Sequence, residues 1–294
     1  MKIAITGANG NLGRRLIDRL APHHQLRAIV RSERARQTLL NQFGSDLDIV
    51  IVDYGDVEGL TGALNGFDKI VHLVGIIKES AANPFERAHE QACAALVRAA
   101  SAAGLRGIVH LSIVGASETS TNACLASRGR ADRLLVAGDV PATVIRVPMV
   151  LGEGDYASAA LVRQAKRSVV FTFRAASLEQ PIYAGDVVAA LETALAGDAA
   201  GIVELAGPET LSRRDLIERM AAVIGREPPL VVSLPLGLGM MIAAIAERRA
   251  NPPVTRAMLG VLDHDDRIDV VPTCERLGLK LTPLDEMLRH ILPD

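Results

Sequence analysis

The chain has 294 residues, enough to bury a large core in one or two domains without disulfide or metal staples. Hydrophobic residues make up 49% and charged residues 22%, which excludes a disordered or fibrous chain. A net charge of −2, 3% aromatic residues and no Trp leave neither the basic field nor the stacking platforms that nucleic-acid binding uses, so no nucleic-acid partner is expected.

Short β-branched runs over Lys2–Thr6, Gln25–Val30, Asp48–Asp53, Lys69–Val74, Gly107–Leu111 and Thr143–Val147 predict strands. Between them Leu12–Leu20, Ala88–Ala103 and Ala131–Ala137 place apolar residues at three and four spacing, as helices do. The repeated βα pattern predicts an α/β fold with a doubly wound parallel sheet over residues 1–150. Of 14 prolines only Pro22 and Pro84 precede residue 140, whereas Pro-Pro pairs at 228–229 and 252–253 punctuate the second half. Residues 151–294 are therefore expected to form mainly a smaller C-terminal α/β lobe. Residues 182–206, with a helix over Asp186–Leu195 and a strand over Ile202–Leu205, are expected to return to the first domain; Ser212–Ile224 reads as a helix of the lobe.

Further on, the strand-like LVVS (230–233) leads through Pro235 into a helix with Leu236, Leu238, Met240, Met241, Ile242 and Ile245 almost all round, followed by Glu247, Arg248 and Arg249. Pro235 suits its first turn, and an all-apolar helix is expected in the core of the lobe. The alternative is that 234–250 lines an apolar substrate cleft or docks on a membrane or a membrane-associated protein. The apolar run from Leu230 to Ala246 falls short of the roughly 20 residues that span a bilayer. Cys93, Cys124 and Cys274 are odd in number and widely spaced, so neither a disulfide framework nor a metal site is expected. With no apolar leader in MKIAITGANG, a cytoplasmic protein is expected, with a peripheral membrane position if 234–250 docks.

TGANGNLG (6–13) sits where the first strand turns into the first helix. Gly7, Gly10 and Gly13 would let backbone N–H groups of Asn9, Asn11 and Leu12 and the helix N-terminus face a pyrophosphate, because glycine removes the Cβ atoms that block its approach. With the strand before and the helix after, this is a dinucleotide-binding, Rossmann-type loop. Folds that bind NAD usually end the second strand with an acidic residue on the ribose diol, but here that position is Arg31. Arg31 and Arg14 could grip a 2′-phosphate from two sides, so NADP(H) is favoured and NAD(H) is the alternative. Arg34 and Arg36 read as a solvated helix start.

At this point the chain resembles the extended, atypical branch of the short-chain dehydrogenase/reductase superfamily over nearly its whole length. VDYGD (52–56) is similar to the family's third-strand motif, which implies Asp53 and Tyr54 beside the adenine. VHLVG (71–75) resembles the fourth-strand motif, which implies Val74 and Gly75 under the cofactor, and HLSIVGA (110–116) resembles the fifth strand. IRVPMVLGEGD (145–155) resembles the stretch after the sixth strand, with Val147 where Pro is usual. QPIYAGDVVAAL (180–191) and ELAGPETLSRRDLIERMAAVIG (204–225) resemble a subgroup that includes the nucleotide-binding accessory subunit of respiratory complex I, with NmrA-like redox sensors as cousins.

The resemblance implies catalysis by a Tyr-x-x-x-Lys pair and a Ser. CLASRGRADRLL (124–135) is in register with that pattern and puts Cys124 at the Tyr and Arg128 at the Lys position. Ser112 matches the first serine of the fifth strand, Val114 stands where the catalytic serine would fall, and His89 takes the place of the helix Asn. A Cys is too short to reach a carbonyl beside the nicotinamide, whereas Arg128 can still hold ribose hydroxyls. The catalytic residues are therefore left unassigned. The leading expectation is an NADP(H)-binding protein without the usual relay, acting as a cofactor-dependent sensor, assembly factor or accessory subunit. The alternative is an NADPH-dependent quinone or carbonyl reductase in which water or Tyr183 supplies the proton, and a sugar-nucleotide epimerase or dehydratase comes third.

Overall fold

The computed structural model of the protein describes residues 1–197, 200–249, 252, 254–261 and 263–292. Positions 198–199 of the returning segment and 250, 251, 253, 262, 293 and 294 of the lobe lie outside the described residues. The first part of the chain runs β1 (Lys2–Thr6), α1 (Asn11–Leu20), β2 (Gln25–Val30), α2 (Glu33–Phe43), β3 (Asp48–Ile51), α3 (Val57–Leu64), β4 (Lys69–His72), α4 (Ala92–Ala102), β5 (Gly107–Ile113), α5 (Ala123–Val136) and β6 (Ala142–Val147). Then come β7 (Val150–Leu151), α6 (Tyr156–Ala165), β8 (Val169–Phe173), β9 (Leu178–Glu179), β10 (Ile182–Tyr183), α7 (Ala184–Ala196), β11 (Gly201–Glu204), β12 (Leu211–Ser212), α8 (Arg213–Val223), β13 (Leu230–Leu234), α9 (Leu236–Ala246), α10 (Arg256–Val261), α11 (Val271–Leu277) and α12 (Leu284–His290).

Two compact units share these elements, Met1–Arg146 with Val188–Val203, and Val147–Val187 with Glu204–Asp294. The first is built on a seven-stranded sheet of order β11-β6-β5-β4-β1-β2-β3, flanked by helices as a Rossmann-type α/β fold. Strands β2 and β4 both pair with β1 in parallel, so the strand order reverses beside β1. A ligand crevice opens at such a switch point, beyond the carboxyl ends of the strands. Ile3, Ile5, Ile70 and Val71 are buried, as strands covered on both faces require.

Local chemistry explains where the elements depart from the periodicity. β3 and β4 stop two residues early, at Ile51 and His72, because Asp53, Tyr54, Val74 and Gly75 turn off into site loops. α5 begins at Ala123 rather than Ala131: the Asn122 side chain accepts hydrogen bonds from the N–H groups of Cys124 (2.9 Å) and Leu125 (3.2 Å). Its first turns carry small residues buried nearly all round, which leaves no apolar stripe to read. Glu86–Gln91 is a widened π-type turn leading into α4.

The second unit holds three two-stranded ribbons, β10·β7 and β13·β8 parallel and β12·β9 antiparallel. Its core gathers Leu161, Val170, Ile217, Met220, Val231 and Leu288. The expectation that the apolar helix after Pro235 is core is corrected: α9 buries only Gly239 and Ala243, and exposes Leu238, Met241, Ile242 and Ile245. A Cβ at position 239 would lie 2.8 Å from the Phe173 ring, so α9 packs through its small residues. Pro235 caps α9 from outside instead of entering its first turn. No helix among the described residues is long and apolar enough to cross a membrane.

Candidate functional site

The loop after β1 is shaped by contacts that only glycine permits. Gly7 has φ +71°, and a Cβ there would press on the Leu73 carbonyl at 3.0 Å. A Cβ at Gly13 would lie 2.6 Å from the carbonyl oxygens of Gly7 and Ala8, so α1 closes tightly on the loop. Gly10, which opens α1, donates its N–H to the Gly7 carbonyl (3.0 Å), and Arg14 N–H donates to Gly10 (3.0 Å). No side chain caps α1 and its first turn holds no acid, so the positive end of the helix faces the loop of Asn9, Asn11 and Leu12. The Asn11 side-chain oxygen accepts from Arg15 Nε at 2.9 Å. Arg14 is half-buried one turn into the helix.

Beside the loop, Tyr54 acts as a tie. Its hydroxyl accepts the Gly7 N–H (3.0 Å) and donates to the Ile29 carbonyl (3.0 Å), fixing the glycine turn to β2. Burial pushes the phenol up from its ordinary range. Arg31 is exposed at the end of β2, with its guanidinium 5.4 Å from the Tyr54 ring centre and Nη1 donating to Asn83 Oδ1 at 3.2 Å. Asp53 accepts from the Gly55 N–H (2.9 Å) and pairs with Arg87 (3.0 Å); these, with Arg31, hold its carboxyl below the usual range. The rim thus carries two arginines for one carboxylate. Asn83 and Arg87 went unnoticed in the sequence, since nothing in their spacing couples them to residues 31 and 53.

Deeper in, Arg128 is nine-tenths buried. Its Nη1 donates to the carbonyls of Val74 and Leu111, both at 3.4 Å, and Nε has no partner. A Cβ at Gly75 would overlap the guanidinium, so Gly75 and Arg128 are a matched pair. Ser112 is buried on β5 beside Asp132, and Val114 follows that strand half-buried. Cys124 is wholly buried, its thiol 3.5 Å from the Ile76 carbonyl and pushed up by burial. His89 Nδ1 lies 3.2 Å from Ser127 Oγ, which donates to Glu90 (2.8 Å), itself gripped by Arg130 at 2.6 and 2.9 Å. His89 Nε2 lies 3.1 Å from both the N–H and the carbonyl oxygen of Ile76, so the ring accepts from the one or donates to the other according to its tautomer. Burial, then Arg128, lowers His89 to about 3, so it stays neutral and fastens the loop after β4.

Tyr183, in the second unit, donates to Glu153 (2.7 Å) and stacks on His290; Asp186 accepts from Thr282 N–H and Oγ1, both at 2.8 Å. Among the described residues no group of His, Cys, Asp and Glu could hold a metal ion.

A glycine turn folded too tightly for any Cβ, an open helix N-terminus and a buried guanidinium with an unpartnered Nε beyond β4 and β5 fit a dinucleotide, and define a nucleotide-binding protein of the Rossmann class. Residues 7–164 match the family model described as NAD(P)H-binding. The chain belongs to that family, within the atypical short-chain dehydrogenase/reductase superfamily. It is 30% identical to the ceramide reductase of Caulobacter vibrioides over 235 residues, 78% of this chain and 72% of that one. It is 26% identical to the mitochondrial NADH dehydrogenase [ubiquinone] 1 alpha subcomplex subunit 9 of Arabidopsis thaliana over 96% of this chain and 73% of that one. The fold is also that of the NADPH-dependent quinone oxidoreductase of Escherichia coli, solved with NADPH, at TM-score 0.74 and 24% identity over 98% of this chain and 99% of that one.

Proposed function

We propose that the chain binds NADP(H) along Gly7–Gly13, with Arg14 and Arg31 on the 2′-phosphate, and works as a reductase. When bound, the nicotinamide supplies a hydride. The observation that carries the reading is Arg128, a buried guanidinium fitted against Gly75 with no ion pair among the described residues. Burying such a charge costs several kcal/mol, so its retention implies an anion or ribose hydroxyls to hold. A fixed cation there would also stabilise the oxygen anion that hydride addition creates. Val74, Gly75 and Ser112 are assigned to the nicotinamide side and Asp53 and Tyr54 to the adenine side.

The proton comes from solvent in this reading. Cys124 is turned into the Ile76 carbonyl, and neutral His89 is committed to the loop. Such a site suits acceptors whose reduced oxygen is a weak base, such as quinones and conjugated carbonyls, better than simple ketones. The names of the ceramide reductase and the quinone oxidoreductase support reduction as the reaction type. An apolar or membrane-associated partner for 234–250 belongs to the same proposal, supported by the exposed side chains of α9.

A second reading, a cofactor-dependent sensor or accessory subunit, is favoured by the buried Cys124 at the Tyr position and by the likeness to the complex I subunit. Both readings require NADPH binding, followed through the nicotinamide's own emission because the chain has no Trp. A reductase consumes NADPH with a benzoquinone or an enone and loses that rate in Arg128→Ala. Binding without consumption across a panel of quinones, enones, aldehydes and ketones supports the sensor, and no binding sinks both.

A further inference from the structure

The second unit carries an apolar surface that its own core leaves uncovered. Along β8 and β13 the residues alternate: Val170 and Val231 enter the core, whereas Val169, Phe171 and Leu230 lie on the opposite face. The parallel register sets Leu230 beside Val169 and Val232 beside Phe171. Phe171 and Leu230 are 64% and 63% exposed. That face continues to Phe173, and there α9 rests on it through Gly239.

The helix is inverted relative to an ordinary surface helix. Gly239 and Ala243 face inward, while Leu238, Met241, Ile242 and Ile245, at three and four spacing, face outward, Met241 at 57% and Ile245 at 59% exposure. Leu236–Ala246 contains no charged residue. The rim, by contrast, is cationic. Lys166 and Arg167 precede β8, and Arg226, whose Nη1 donates to the Lys166 carbonyl at 3.0 Å, lies beside them. Arg248 and Arg249 follow α9, and all five basic residues are exposed. Of the neighbouring acids, Glu247 is engaged by Arg256 at 2.8 Å, and Asp263 and Asp265 are paired with Arg174 at 2.6 and 3.5 Å beyond Phe173, while Glu227 is next to Arg226 in the chain.

From these contacts we infer that the β8–β13 face and α9 together form a docking surface for an anionic lipid bilayer, with the apolar side chains entering the headgroup boundary and the five basic residues at the phosphates. Hydrocarbon beneath negative charge is the complement of this face. A second copy of the chain is a poor complement, because cations at both ends of the patch would oppose cations in any two-fold pairing. The helix lies in the plane of the surface and does not span it. The inference rests on the partner proposed above for 234–250, deepens it to an anionic bilayer, and does not depend on the nicotinamide.

Vesicle flotation at low ionic strength tests it, with phosphatidylcholine alone and with about one-third phosphatidylglycerol. The full-length protein is expected to float with the anionic vesicles and at least about tenfold more weakly with neutral ones. Met241→Asp with Ile245→Asp should abolish flotation while melting temperature and NADPH affinity stay unchanged, and Phe171→Ser should weaken it independently of the helix. Arg248→Ala with Arg249→Ala should cut affinity about thirtyfold. Failure to float with anionic vesicles overturns the inference, as does a dimer in sedimentation that the Met241/Ile245 variant dissociates. Flotation by a protein that does not bind NADPH would support this surface and overturn both the reductase and the sensor readings.

Discussion

Around Arg128 the first unit buries charge, and along α9 the second exposes hydrocarbon. In the first unit Arg128, His72, His110 and Asp132 are all buried; His72 Nδ1 lies 2.7 Å from Thr6 Oγ1, His110 donates to the His72 carbonyl at 2.8 Å, and Asp132 pairs with Arg146 at 2.8 Å. In the second unit a helix of eleven residues without a charge turns its largest side chains to solvent. Each arrangement costs folding free energy, which is the usual sign of a surface shaped for a ligand. The polar cluster is tied residue by residue and predicts sensitivity to every partner, whereas the apolar face predicts tolerance of the isolated protein to substitution.

The largest expected contrast is with pH. His72 and His89 are lowered to about 3 by burial and then by Arg128, and His110 is lowered well below its ordinary value by burial and then by His72. Since their folded values lie below the unfolded one, the unfolded chain takes up protons first. Their contribution is therefore complete above about pH 6.5 and declines as pH falls toward 3. At pH 5 His72 and His89 should each have lost about 2 kcal/mol of stability, with a loss in the same direction from His110, read by urea unfolding between pH 7 and 5. His89→Gln should flatten that slope by one histidine's share, and an unchanged slope would mean that His89 titrates normally.

Next in size, Gly75→Ala should displace the Arg128 guanidinium and cost about 3–5 kcal/mol, with loss of NADPH binding. Adding Arg128→Ala should restore much of the stability but not the binding; two simply additive losses would show that the pair is not matched. A smaller effect is expected of Tyr54→Phe, which removes the tie between Gly7 and Ile29 and should cost about 1–3 kcal/mol while weakening both nicotinamide cofactors together. At the far end, Met241→Asp should change the stability of the isolated protein by less than about 0.5 kcal/mol, and a sharp fall in melting temperature would return α9 to the core.

What was legible in the sequence follows the range of the interactions. The glycine loop, the βα alternation and Arg31 at the end of β2 are local patterns, written in a few consecutive residues. The Tyr54 hydroxyl on Gly7, Arg87 on Asp53 and Asn83 on Arg31 join positions far apart in the chain, and no spacing announces them. α5 begins eight residues before its apolar periodicity because Asn122, not a hydrophobic stripe, sets its start. For α9, composition alone pointed to the core. The usable signal was Gly239 and Ala243 at four spacing, a small-residue seam that lets the backbone approach Phe173 and leaves the large residues outside.

Arg31 at the end of β2 is proposed to set the cofactor preference, and titration of NADPH and NADH side by side against the protein and its Arg31→Ala variant tests this most directly. NADPH should bind more tightly than NADH, and the variant should lose about ten- to a hundredfold in NADPH affinity, equivalent to a charge-assisted hydrogen bond of about 1.5–3 kcal/mol, while NADH affinity stays put. Equal affinities in the unmutated protein, or a variant that loses both cofactors alike, would contradict the assignment.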